Sequence, residues 1–89
     1  MSAQELAAKY IAAMEKTLES MQQTAIPVTV SEECMNKMLG YVKAYLEDAK
    51  YFLSQEKFET SLVSIAYSEG FLDALKLMGA VKVSASKQP

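Results

Sequence analysis

A chain of 89 residues, 51% of them hydrophobic and 22% charged, builds one small domain with one core and lies well away from disorder. Eleven acids stand against nine bases for a net charge of −2, and every base is lysine, which argues against nucleic-acid binding through a basic patch and arginine forks. With no histidine, the ordinary serine and cysteine triads, the usual zinc sites and histidine phosphotransfer fall away, and the single Cys34 cannot close an internal disulfide.

The first predicted helix covers about residues 3–23. Ser2 and Glu5 have the spacing of a capping box, and Glu5 and Lys9 follow in the favourable i, i+4 order. Leu6, Tyr10, Ile11, Met14, Leu18 and Met21 recur at helical spacing. Pro27 then interrupts inside Thr24-Ala25-Ile26-Pro27-Val28-Thr29-Val30, predicting an apolar inter-helix loop, with an extended edge strand as the alternative.

The second helix is predicted over 32–53, with Ser31 as N-cap and Glu32 and Glu33 near the positive end of the dipole. Met35, Met38, Tyr41, Val42, Tyr45, Ala49 and Phe52 fall on one side, while Lys43, Glu47 and Lys50 fall opposite. Cys34, near that apolar face in the first turn, reads as an inert, partly buried thiol. Ser54-Gln55-Glu56-Lys57 is too short for anything but an antiparallel return.

The third helix is predicted over 56–78, with Gly79 as a left-handed C-cap. Phe58, Leu62 and Ile65 share one stripe that continues into Glu69, Asp73 and Lys76, while the apolar side moves round to Tyr67, Phe71, Ala74, Leu75 and Met78. Ser61, Ser64 and Ser68 occupy another side. Few charges remain for a solvated face, so this helix is expected to be central or covered by a partner. The expected fold is therefore an all-α, antiparallel three-helix bundle over residues 1–79, with a flexible tail over 80–89.

No catalytic constellation emerges, so no enzymatic activity and no cofactor or metal is expected. Tyr45, Asp48, Tyr67, Glu69 and Asp73 are the ligand candidates, a carboxylate–tyrosine pocket for a cation or polar ligand. The preferred reading of these residues is structural, an inter-helix salt-bridge and hydrogen-bond set that fixes the register, with Lys37 and Lys76 neutralising Asp73. Gly70, inside a helix where glycine costs about 1 kcal/mol against alanine, is expected to permit close packing. Tyr51, Phe71 and Leu75 are the candidate exposed contacts of an interface.

The second half carries Tyr45-x-x-Asp48-Ala49, Phe52-Leu53, Phe58, then Ala66-Tyr67-x-x-Gly70-x-x-Asp73-Ala74 and Gly79, with Lys9-Tyr10 in the first helix. This pattern resembles the archaeal domain of unknown function 357 family over about residues 5–79. The resemblance implies an archaeal source and a compact helical fold, and no activity. The third helix also looks like the helical nucleotide-binding domains of toxin systems, but their RNase chemistry needs an arginine and a histidine that this chain lacks. No apolar run is long enough to span a bilayer and no signal-peptide pattern opens the chain, so a cytoplasmic location is expected. The function expected is a protein–protein interaction module, as a homodimer or docked on a larger protein. The alternatives are a small-ligand or metal-binding bundle and an accessory domain of a nucleotide or RNA enzyme.

Overall fold

The computed structural model describes residues 2–24 and 28–83. They form three helices, α1 (Ala3–Ser20), α2 (Glu32–Ser54) and α3 (Phe58–Leu77), with no strand among the described residues. Ala25–Pro27 of the predicted loop and Ser84–Pro89 of the predicted tail lie outside the described residues. Val28–Val30 run without regular structure, close to Met78 and Ala80 at the far end of α3.

Local chemistry explains the starts. The Glu5 amide donates to Ser2 Oγ at 3.1 Å and the Ser2 amide donates to Glu5 Oε1 at 3.2 Å, completing the capping box. The backbone amide of Ser2, and then its hydroxyl, hold the Glu5 carboxyl below its ordinary value. Ser31 caps α2 by accepting from the Cys34 amide at 3.0 Å. Cys34 itself is exposed rather than partly buried, because it sits on the solvent side of that first turn.

The ends are equally specific. At the end of α3, Ala80 N–H reaches Leu75 C=O and Gly79 N–H reaches Lys76 C=O, with Gly79 at φ 74°, a Schellman closure on the expected glycine. At the end of α2 the same pattern recurs, Lys57 to Phe52 and Glu56 to Leu53, but the left-handed position at φ 58° is filled by Glu56. That turn delays α3 to Phe58, two residues past the expected start at 56. No comparable device closes α1, which stops at Ser20 instead of 23; its last turn has no basic residue, and Gln22-Gln23-Thr24 supplies no left-handed cap.

α2 and α3 pack antiparallel along a heptad seam. On α2 it runs through Met35, Met38, Val42, Tyr45, Ala49 and Phe52, alternating steps of three and four, and all are buried or half-buried. On α3 the matching positions are Ser61, Ser64, Ser68, Phe71 and Leu75. The serine side therefore faces α2. Ser61 Oγ donates to the Ala49 carbonyl at 2.8 Å and Ser68 Oγ to the Val42 carbonyl at 2.7 Å. Donors and acceptors are each two turns apart, so the pair fixes the register of both helices. Small hydroxylated residues let the backbones approach, and every buried side-chain polar atom among the described residues has a partner. Leu75, at 0% exposure, anchors the far end of the seam.

α1 differs. None of its residues comes within 8 Å, Cα to Cα, of α2 or α3, and none is buried. The radius of gyration is 16.1 Å, against about 12 Å for a compact chain of this length, as expected when one helix stands off.

Candidate functional site

Leu62, Val63 and Leu77, large apolar side chains of α3, are each more than half exposed. Around α3, Val63, Ala66, Tyr67, Gly70 and Ala74 fall on one flank at 100° per residue. Beside them an aromatic ladder crosses from α2. The Tyr41 and Phe71 rings lie 5.3 Å apart, Tyr45 stacks on Tyr67 at 5.1 Å, and Tyr45 also stacks on Phe71 at 6.1 Å. Such ring pairs contribute about 0.5–1.5 kcal/mol each beyond their area, so the ladder is a firm wall.

Met38, Ala66, Tyr67, Gly70, Phe71 and Ala74 line an open groove of about 540 Å³ against that wall. Its floor, Ala66-Gly70-Ala74, is one small residue per turn. A Cβ built on Gly70 meets nothing within 4 Å, so close approach inside the chain does not account for this glycine; it lies open to the groove. Tyr67 continues into a second cleft of about 550 Å³, where Ala3, Leu6 and Tyr10 of α1 face Glu59, Thr60 and Val63 of α3. Only the first turns of α1 reach α3. Leu6 is 37% exposed, whereas Tyr10, Ile11, Met14, Leu18 and Met21 are all more than half exposed.

Of the ligand candidates, the structure brings together Tyr45 and Tyr67 and no others. Asp48, Glu69 and Asp73 all stand exposed, and Asp73 meets Lys76 at 3.9 Å on its own helix. Lys37 takes no part in that pair. Among the described residues no group of three or more Cys, Asp or Glu side chains could hold a metal ion. Among the described residues neither the preferred inter-helix ion-pair set nor the acid–tyrosine pocket is assembled, because the seam turns the serines inward and so turns the face shared by Glu69 and Asp73 toward solvent.

The interface candidates divide as well. Tyr51 is exposed, its ring edge-on to Phe52 at 5.4 Å. Phe71 is half-buried and lines the groove. Leu75 is the most buried side chain described and not an exposed contact, since it falls in the heptad position facing α2. Sequence reasoning missed Ala66 and Met38 as groove residues, as well as the exposed stripe of α1 as an open surface. The spacing of Ser61, Ser64, Ser68, Phe71 and Leu75, alternately three and four, was the available signal for which side of α3 is covered.

No helix among the described residues is long and apolar enough to cross a membrane. A family model described as "Protein of unknown function (DUF357)" matches residues 9–81, from the middle of α1 to just past the α3 cap. The chain belongs to that family. No curated protein and no solved structure matches it.

Proposed function

We propose that this member of the family is a protein–protein interaction module without catalytic activity, and that it works by joining its open apolar helix faces to those of a second copy. The observation that carries this reading is the surface itself. The chain exposes 7980 Å², against about 5200 Å² for a compact folded protein of 9.8 kDa. Much of the exposed apolar side-chain surface sits on two helices, with Tyr10, Met14 and Leu18 on α1 and Leu62, Val63 and Tyr67 on α3. Large apolar side chains left exposed along helix faces mark an interaction site. A two-fold dimer is the commonest closed arrangement that covers it.

Native mass spectrometry of the full chain tests the proposal. The expected result is a species of twice the 9.8 kDa subunit mass, free of bound adducts. A monomer at every concentration carrying a reproducible extra mass would overturn it in favour of a ligand-binding role.

A further inference from the structure

We draw no further inference here: the strongest candidate, the open apolar groove between α2 and α3 lined by Met38, Ala66, Tyr67, Gly70, Phe71 and Ala74, is an unpartnered face, and nothing in the structure shows what covers it.

Discussion

α1 and the α2–α3 hairpin are built from the same vocabulary and end in opposite states. Both carry a side-chain-capped N-terminus and an apolar stripe, yet α2 and α3 bury a seam while α1 buries nothing. What separates them is small rather than large side chains. Ser61, Ser64 and Ser68 let α3 settle on α2 and give two hydroxyls to its carbonyls, whereas the larger residues Leu62 and Val63 stand exposed. In the hairpin, complementarity of shape decides the contact; in α1, hydrophobicity alone makes a helix with an open face.

The largest effect expected from breaking this contrast is at Leu75. Leu75→Ala should cost about 2–5 kcal/mol in urea unfolding followed by circular dichroism, because a fully buried side chain leaves a cavity. Met14→Ala, on the exposed stripe, should change dilute-protein unfolding by less than about 0.5 kcal/mol. A comparable loss at both positions would show that α1 is packed as firmly as the seam. Next comes Ser68→Ala, which removes the 2.7 Å bond to the Val42 carbonyl and should cost about 0.5–1.5 kcal/mol. Ser61→Ala should behave alike and Ser54→Ala, whose hydroxyl bonds only within its own helix, should not.

How far the sequence carried this picture depends on the range of the interactions. Ser2 with Glu5, Ser31, and Gly79 were all legible because a cap is decided within a few residues. The antiparallel register was legible too. A short return near residue 55 sets position 73 beside 37, the same register that places Ser68 on Val42 and Tyr41 on Phe71. The covered side of α3 was not, since apolar residues surround the helix and hydrophobicity cannot choose among its sides. That one rotation explains the misplaced expectations together: Leu75 turned inward, and Glu69 and Asp73 turned out to solvent. Glu56 in a left-handed turn gave no signal, because glutamate is not a residue that favours it.

A smaller effect sharpens the comparison at that turn. Glu56→Gly should stabilise the hairpin by about 0.5–1 kcal/mol, since glycine takes φ 58° without a Cβ penalty, and thermal unfolding reads it. The smallest belongs to α1. The Glu5 carboxyl sits below its ordinary 4.5 in the folded helix, so its contribution is present above pH 4.5 and is lost as pH falls through the lowered value. Helical chemical shifts of the first turn should therefore weaken on acidification below pH 4.5, and Glu5→Gln should remove that dependence while the hairpin is unaffected.

Amide hydrogen exchange measured at two protein concentrations tests the central contrast most directly. The amides of α2 and α3 should be protected at both concentrations, while those of α1 exchange rapidly when dilute and become protected when concentrated. Protection of α1 that is strong and independent of concentration would contradict the account, because α1 would then be packed within a single chain.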